Sequence, residues 1–217
     1  MVSIMENKES FFNRVSPHFA PADLLDIKGA YFLAKYAHRA QFRKECDSAG
    51  HPVRYFEHLR RVSLTLIDEV KIIDRDMIVA SIFHDALEDT SDLTPDLIQH
   101  FFGHDVIEIV KILSKVPNED YIARLNITTN WKALMIKSCD RLDNLRSLML
   151  PEVSLTFQKK QVTETKEKYF KVFDRMVLLA PAIYQEQARW IRDEIRRVTE
   201  RCATIIEVKN ESSQEAI

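Results

Sequence analysis

Apolar residues recur at helical spacing along most of the 217-residue chain. In residues 22–43, for example, Leu25, Ala30, Leu33 and Ala37 lie on one face of a helix. No stretch alternates between apolar and polar residues in the way that predicts a half-buried strand. The pattern therefore predicts an all-α fold.

The same pattern predicts a series of helices, separated by proline, glycine and polar residues. They cover residues 22–43, 55–67, 74–90, 95–103, 106–116, 130–150, 157–179 and 182–208. Residues 1–20 are expected to hold a short helix and a loop, and residues 46–54 and 117–129 to be irregular. Thr94 is expected to cap the helix that follows it, and either Thr129 or Asn130 is expected to cap the helix over residues 130–150.

These elements suggest a division of the chain into four parts. Residues 1–21 form an N-terminal segment, and residues 22–150 form the core. Residues 151–209 supply two long C-terminal helices that pack on the core. Residues 210–217 are polar and are expected to form a flexible tail.

Composition and charge narrow the class of protein. Three glycines in the whole chain argue against a glycine-rich phosphate loop. A net charge of −2 gives no electrostatic reason to expect a nucleic-acid or membrane partner. No apolar run approaches the ~20 residues needed to span a bilayer, and the first residues are too polar for a signal peptide. We therefore expect a cytoplasmic protein.

The charged face of the last helix leaves two interpretations open. Arg192, Arg196 and Arg197 alternate with Asp193 and Glu194. Interspersed acids and bases are typical of a solvated helix face. The same side chains could also form an interface between protomers, so a homo-oligomer stays possible.

The strongest candidate for chemistry follows the apolar helix that ends near Phe83. His84 and Asp85 come directly after it, and Glu88 and Asp89 follow one turn later. Burying carboxylates is costly unless another group compensates their charge. Imidazole with carboxylate is a ligand set for Mn, Fe or Zn ions. The alternative is an ordinary helix end that carries solvated acids.

Two other helices offer ligand-type residues beside apolar runs. These residues are His58 and Asp140. Taken singly, His58 could be a surface or capping histidine, and Asp140 could pair with Arg141 or Lys137. Taken with His84 and Asp85, they supply two imidazoles and two carboxylates, which leave further octahedral positions for water and substrate oxygen. The sequence therefore indicates one metal site shared by three helices.

Five blocks in this order resemble the HD-domain phosphohydrolases, and more narrowly the hydrolase domain of RelA/SpoT homologues of the stand-alone small alarmone hydrolase type. The family patterns are A-x-x-x-H-x-x-Q-x-R, G-x-P-Y-x-x-H, H-D-x-x-E-D-T, F-G-x-x-V and K-x-A-D-x-x-x-N-x-R. Here they fall at residues 34–43, 50–58, 84–90, 102–106 and 137–146. The resemblance covers roughly residues 30–150 and implies an HD-domain helical bundle with two additional C-terminal helices.

The chain departs from these patterns at several positions. Val53 and Arg54 separate Pro52 from Tyr55. Asp143 stands where histidine or tyrosine is common, and we assign it no ligand role from the resemblance. These departures bear on the choice of substrate more than on metal binding.

The resemblance implies roles for three sets of residues. The ligands of one Mn²⁺ per chain, with Fe²⁺ or Zn²⁺ as alternatives, would be His58, His84, Asp85 and Asp140. The acids that position or deprotonate the attacking water would be Glu88 and Asp89. The side chains that hold the nucleotide and its phosphates would be Arg43, Lys44 and Asn144.

The activity implied by the resemblance is removal of the 3′-pyrophosphate from guanosine or adenosine 3′,5′-polyphosphates, the (p)ppGpp-type alarmones. One alternative is another 3′-phosphorylated nucleotide or cofactor on the same metal site. A second alternative is a module that binds a nucleotide without turnover. The residues leave the base preference and the metal open.

Overall fold

The computed structural model describes the backbone of residues 7–214 and the side chains of residues 7–211. Its α-helices are α1 (Lys8–Val15), α2 (Pro21–Ala37), α3 (Phe56–Leu64), α4 (Arg75–Phe83), α5 (Ala86–Asp89), α6 (Pro95–Phe102), α7 (His104–Leu113), α8 (Tyr121–Ile127), α9 (Trp131–Arg146), α10 (Leu155–Glu164), α11 (Phe170–Leu179) and α12 (Gln185–Gln214). Two short strands, β1 (Phe42–Cys46) and β2 (Pro52–Arg54), pair antiparallel. The prediction of an all-α fold is confirmed apart from this small hairpin.

Short irregular turns extend or join some of these helices. Single 3₁₀ turns cover Ser16–His18 and Ala182–Tyr184. Helix α3 widens into a π-helical turn at Thr65–Glu69, and a second π-helical turn at Thr165–Tyr169 joins α10 to α11. The predicted single helix over residues 157–179 therefore contains a widened turn.

Helices α4 and α9 form the centre of the hydrophobic core. Every residue from Met77 to Phe83 is buried, because this run is apolar apart from Ser81. Helix α9 contacts α3, α4, α7, α11 and α12, and its residues 133–143 are all buried. The polar residues within this stretch of α9 are therefore shielded from bulk solvent.

The predicted cap at Thr94 is confirmed, and of the two candidates Thr129 and Asn130 it is Asn130 that caps α9. The side chain of Thr94 accepts a hydrogen bond from the Leu97 amide, and that of Asn130 accepts one from the Ala133 amide. Each such cap typically stabilises a helix by about 1 kcal/mol. Helix α6 ends before Gly103, whose φ of 96° lies in the region that favours glycine.

The hairpin lies where the sequence predicts the end of a helix and a loop. Helix α2 ends at Ala37, six residues before the predicted end at residue 43. The hairpin turns through Gly50, at φ 82°, and the side chain of Asp47 accepts hydrogen bonds from two turn amides. The strands are too short and too exposed for alternation to reveal them. The prediction that no strand occurs is therefore wrong at this place.

The predicted continuous helix over residues 74–90 is also wrong. Helix α4 ends at Phe83, and His84 and Asp85 lie in a turn before the short helix α5. Asp85 has φ −105° and ψ 1°, outside the helical region. Adjacent side chains on a regular helix diverge by about 100°, so this break frees the two side chains to converge.

The C-terminal helices pack on the core as expected, with α11 and α12 both against α9. Helix α12 runs to Gln214, so it includes part of the predicted tail over residues 210–217. The rest of that tail, and residues 1–6 of the predicted N-terminal segment, lie outside the described residues. The division of the chain into four parts stays a prediction. Within residues 7–214, no helix combines the length and apolar character needed to cross a membrane.

Candidate metal centre

The four predicted ligands converge on one point between α3, α4 and α9. Nε2 of His58 lies 3.2 Å from Oδ1 of Asp140 and 3.8 Å from Oδ2 of Asp85. Nε2 of His84 lies 3.0 Å from the same oxygen of Asp85 and 3.9 Å from Oδ1 of Asp140. One ligand atom from each of His58, His84 and Asp140 fits within 4.8 Å of the others.

Both histidines turn their Nε2 atoms toward this point. Nδ1 of His84 donates a 2.7 Å hydrogen bond to the carbonyl oxygen of Ser81. Nδ1 of His58 donates a 2.7 Å hydrogen bond to Oδ2 of Asp143. In a neutral imidazole the other nitrogen then carries a lone pair. Nε2 of His84 is buried and has no hydrogen-bond partner, although the Asp85 carboxylate lies nearby. The donor set therefore fits a divalent cation.

The carboxylates stay ionised in spite of their burial. Burial raises the pKa of Asp140, but Lys137 and the two histidines outweigh it and hold that pKa well below its usual value. Burial likewise raises the pKa of Asp85, but His84 outweighs it and lowers the pKa. Burial lowers the pKa of His84, while Asp85 and Asp140 raise it to about 9. At neutral pH this pKa keeps a proton on His84, which compensates the carboxylates. A divalent cation would replace that proton and bind the neutral imidazole.

Hydrogen bonds orient the two ligand carboxylates. Nζ of Lys137 lies 2.6 Å from Oδ2 of Asp140, and Nδ2 of Asn144 donates a 2.5 Å hydrogen bond to Oδ1. The hydroxyl of Tyr55 donates a 2.5 Å hydrogen bond to Oδ2 of Asp85. Such partners of metal ligands fix ligand geometry and tune basicity.

The two predicted catalytic acids lie on α5, at the exposed side of the site, and differ in their partners. The carboxylate of Glu88 accepts two hydrogen bonds from Lys115, one from Nζ at 2.7 Å and one from the backbone amide of Lys115 at 3.1 Å. Asp89 has a pKa raised by burial and by the carboxylates of Asp85 and Glu88. The backbone oxygen of Asp89 accepts a 2.6 Å hydrogen bond from Gln41. Asp89 is therefore the acid that interacts electrostatically with a predicted ligand.

A cavity opens beside the ligands and contains the three predicted substrate residues. Its lining consists of Phe42, Arg43, Lys44, Glu45, Tyr55, Asn144, Ser147, Leu148, Val153, Phe157 and Gln161. Arg43 donates hydrogen bonds to Oδ1 of Asn144, at 3.1 Å, and to Oγ of Ser147, at 3.2 Å. Nζ of Lys44 lies 3.8 Å from the centre of the Phe157 ring. Because Tyr55 and Asn144 also bond to ligand carboxylates, the cavity and the ligand cluster share a wall.

Three residues that contact the predicted ligands directly received no role in the site from the sequence, although Lys137 was named there as a possible ion-pair partner of Asp140. These are Tyr55, Lys137 and Asp143, although all three stand within the blocks quoted above. Lys137 and Asp143 lie three residues before and after Asp140 on α9, which places them on the same face of that helix. This spacing was the signal that could have identified them.

Comparison with known proteins agrees with this arrangement. The family model described as HD domain matches residues 30–176, which is more than half of the chain. A protein of Mycoplasma genitalium named probable guanosine-3′,5′-bis(diphosphate) 3′-pyrophosphohydrolase is 30% identical over 195 residues, which cover 81% of this chain and 25% of that protein. The chain thus spans about a quarter of the length of this relative.

Shorter proteins are also similar. A Drosophila melanogaster protein named guanosine-3′,5′-bis(diphosphate) 3′-pyrophosphohydrolase is 32% identical over 123 residues, 54% of this chain and 66% of that protein. A solved structure described as a metazoan ortholog of SpoT that hydrolyzes ppGpp superposes with a TM-score of 0.59 and 25% identity, over 76% of this chain and 93% of that one. The resemblance found in the sequence is confirmed, and the chain belongs to the HD-domain family.

Proposed function

We propose that this protein is a metal-dependent phosphohydrolase that removes the 3′-pyrophosphate from guanosine or adenosine 3′,5′-polyphosphates. The observation that carries the proposal is the convergence of His58, His84, Asp85 and Asp140 beside a cavity with basic side chains. The names of the similar proteins supply the substrate class. The identity of the base stays open between guanine and adenine.

The four converging side chains would hold one divalent ion per chain, and we propose Mn²⁺. A bound divalent ion lowers the pKa of a coordinated water and polarises a phosphoryl oxygen. Fe²⁺ and Zn²⁺ also suit imidazole and carboxylate ligands, and availability often decides between them.

Asp89 and Glu88 would orient the attacking water and accept its proton. Asp89 suits the role of proton acceptor, because its raised pKa makes it a stronger base than an ordinary aspartate. Water adds to the phosphorus on the 3′ oxygen, the bond between that phosphorus and the 3′ oxygen breaks, and the 3′ oxygen takes up a proton. The products are pyrophosphate and the nucleoside 5′-polyphosphate.

Arg43, Lys44 and Asn144 would bind the substrate. The guanidinium of Arg43 and the ammonium of Lys44 place positive charge in the cavity for phosphate oxygens. Asn144 joins the two regions, because its Nδ2 bonds to Asp140 and its Oδ1 accepts from Arg43. The phosphate to be cleaved would therefore lie between the cavity and the ligand cluster.

The test measures pyrophosphate release from guanosine 3′,5′-bisdiphosphate and from its adenosine analogue, each with Mn²⁺. Asp85→Asn keeps the shape of a ligand and removes its charge, and it should abolish release. Asp68→Asn is the matched control, because Asp68 pairs with Arg14 away from the site, and it should leave release unchanged. A chelator should also stop the reaction, and the two rates give the base preference.

Other outcomes separate the alternatives. Bound metal with no release from either nucleotide would contradict the proposal. Release of phosphate from a different 3′-phosphorylated nucleotide or cofactor would then identify the substrate class. Nucleotide binding without hydrolysis of any compound in such a panel would instead indicate a non-catalytic module.

Two further properties stay predictions. A cytoplasmic location agrees with the absence of a membrane-spanning helix from the described part of the chain. The arginines on α12 pair with acids of the same chain, Arg196 with Asp174 and Arg197 with Glu194. A homo-oligomer can be tested by measuring the mass in solution.

A further inference from the structure

Asp143 is held between a predicted metal ligand and an arginine. Its Oδ2 accepts the 2.7 Å hydrogen bond from Nδ1 of His58. Arg61 donates to both oxygens of the same carboxylate, from Nε to Oδ1 at 2.7 Å and from its terminal nitrogen to Oδ2 at 3.2 Å. His58 and Asp143 are buried, with Asp143 6% exposed, and Arg61 is partly exposed. The carboxylate therefore has a fixed orientation.

This arrangement separates the roles of two aspartates on one helix. Asp140 directs Oδ1 toward the Nε2 atoms of both site histidines. Asp143, three residues later, has both oxygens engaged by His58 and Arg61. Asp143 is thus placed behind His58, on the side away from the other ligands, and it does not face the metal.

The hydrogen bond controls which nitrogen of His58 carries the proton. A carboxylate can only accept, so Nδ1 must donate and Nε2 of the neutral ring keeps its lone pair. Nε2 is the atom that faces Asp85 and Asp140. A free imidazole side chain favours the opposite tautomer, with the proton on Nε2, which cannot coordinate through that atom. Carboxylate partners of this kind orient ligating histidines and raise their basicity.

Arg61 supports this role from the cavity side. Its other terminal contact is a 2.6 Å hydrogen bond to Oε1 of Glu45, which lines the cavity, and Nε of Arg43 lies 3.8 Å from the same oxygen. The arginine compensates the charge of Asp143, and its two hydrogen bonds restrain the rotation of the carboxylate. A series of hydrogen-bonded side chains therefore connects the cavity to the candidate metal centre. Its members are Glu45, Arg61, Asp143 and His58.

We infer that Asp143 is a positioning residue, which fixes the Nδ1-protonated tautomer and the ring orientation of His58 for metal binding. The inference rests on the metal centre of the proposed function. It adds a residue that determines how tightly that centre binds its metal ion.

The first test needs no variant. Protein labelled with ¹⁵N-histidine is loaded with Zn²⁺, which is diamagnetic, and the nitrogen shifts and proton couplings of the His58 ring are recorded by NMR. We expect a hydrogen-bonded proton on Nδ1 and a metal-bound Nε2. Coordination through Nδ1, or an Nδ1 proton that exchanges freely with water, would overturn the inference.

The second test uses Asp143→Asn, which keeps the side-chain volume. Arg61 and His58 both donate to position 143, and an amide has only one acceptor. The charged arginine should take that acceptor, which leaves the amide NH₂ facing His58 and favours the wrong tautomer. The Mn²⁺ affinity measured by calorimetry should fall by about 10–100-fold. Asp143→Ala should show a comparable loss.

The matched control is Asp26→Asn, because Asp26 pairs with Arg75 away from the metal centre. It should leave Mn²⁺ affinity unchanged. Hydrolysis by Asp143→Asn should recover at Mn²⁺ concentrations well above the new Kd, which a general loss of structure would not allow. An unchanged Mn²⁺ affinity in a folded Asp143→Asn protein would contradict the inference.

These measurements also separate the inference from the proposed function. If the wild-type protein binds metal but hydrolyses no polyphosphate, the proposed function fails, and the NMR and affinity results still decide the role of Asp143. If the wild-type protein hydrolyses the substrate and Asp143→Asn binds Mn²⁺ normally, only the inference fails.

Discussion

The hydroxyl of Tyr55 donates a hydrogen bond to Oδ2 of Asp85, the same oxygen that lies 3.0 Å from Nε2 of His84. Burial and the negative charge of Asp85 raise the pKa of Tyr55, so its hydroxyl stays protonated and continues to donate. The ring of Tyr55 also stacks on His38, with centroids 5.2 Å apart and an angle of 17°. Tyr55, the residue directly before α3, therefore orients a predicted metal ligand.

Replacing Tyr55 with phenylalanine should weaken metal binding. The ring and its stacking are kept, and only the hydrogen bond to Asp85 is lost. Loss of a partner that orients a metal ligand typically costs 10–100-fold in affinity or activity, so we expect a fall of about 10-fold in Mn²⁺ affinity by calorimetry. Tyr36→Phe is the control, because Tyr36 is exposed on α2. Equal affinities in the two variants would exclude a role for the hydroxyl.

Replacing Lys137 with methionine should destabilise the protein most strongly without metal. Lys137 is the buried partner of Asp140, with 2.6 Å between Nζ and Oδ2. Removing one member of a buried ion pair typically costs about 3–5 kcal/mol, which urea unfolding of the metal-free protein would show. Saturating Mn²⁺ should restore part of the loss, because the ion compensates the charge of Asp140 and binds only the folded state.

The control for this variant is Lys132→Met. Lys132 pairs with Asp74 at the same distance, 2.6 Å, but both side chains are partly exposed. Exposed ion pairs contribute about 0–1 kcal/mol, so this variant should unfold near the wild-type urea concentration. If Mn²⁺ stabilises both lysine variants equally, the buried pair has no specific link to the metal centre.

The sequence was sufficient to predict the helical core and the proximity of the four predicted ligands. Residues 77–83 of α4 are apolar apart from Ser81, so their burial followed from composition, and a polar pair directly after them needed a functional reason. The order of the motif blocks then placed His58 and Asp140 with His84. Such local patterns predict the structure well because local preference and tertiary packing favour the same helices.

The geometry of the site could not be predicted from local pattern. The break after Phe83 has no glycine or proline to mark it. Residues 86–88 have high helical propensity, and the lower propensity of His84 and Asp85 is too small a signal to locate the break. The hairpin that positions Arg43 is stabilised by pairing across only a few residues, which leaves a weak signal. The contact between Asp143 and His58 joins α9 to α3 across 85 positions of sequence. The periodicity of apolar residues within one segment gives no information about contacts between such distant residues.

Replacing Arg43 with alanine should weaken substrate binding more than the chemical step. Arg43 lines the cavity and bonds to Asn144 and Ser147, but it contacts no predicted ligand carboxylate at hydrogen-bond distance. Hydrogen bonds that involve a charged group contribute about 1.5–3 kcal/mol, so KM should rise by about 10–100-fold. Steady-state kinetics would measure this change.

The control for Arg43 is Arg39→Ala, because Arg39 is half-exposed and pairs with Asp92 outside the cavity. This variant should keep the wild-type KM. A fall in kcat without a rise in KM for Arg43→Ala would instead assign the guanidinium to the transition state.

The buried side chain of His38 should make stability depend on pH. Burial lowers the pKa of His38 and outweighs the hydrogen bond to Gln41 and the attraction of Asp85. Because the unfolded chain then takes up the proton more readily than the folded one, protonation favours unfolding. The unfolding free energy should therefore fall as the pH drops below about 6.5, the unperturbed value, and this contribution should be constant above it. Urea unfolding of the metal-free protein would measure this pH dependence. The range from about pH 5 to 8 brackets the unperturbed pKa of histidine.

The variant that isolates this effect is His38→Asn, whose amide can still donate to Gln41 but does not titrate. Its stability should decline less steeply than that of the wild type as the pH falls, and the two curves should run parallel above the unperturbed pKa of histidine. His100→Asn is the matched control, because His100 is exposed, and its curve should follow the wild type throughout. Parallel curves for the wild type and His38→Asn over the whole range would contradict the prediction. They would show that His38 is protonated as readily in the folded protein as in the unfolded chain. The stacked pair of His38 and Tyr55 would then have to accommodate a charged ring.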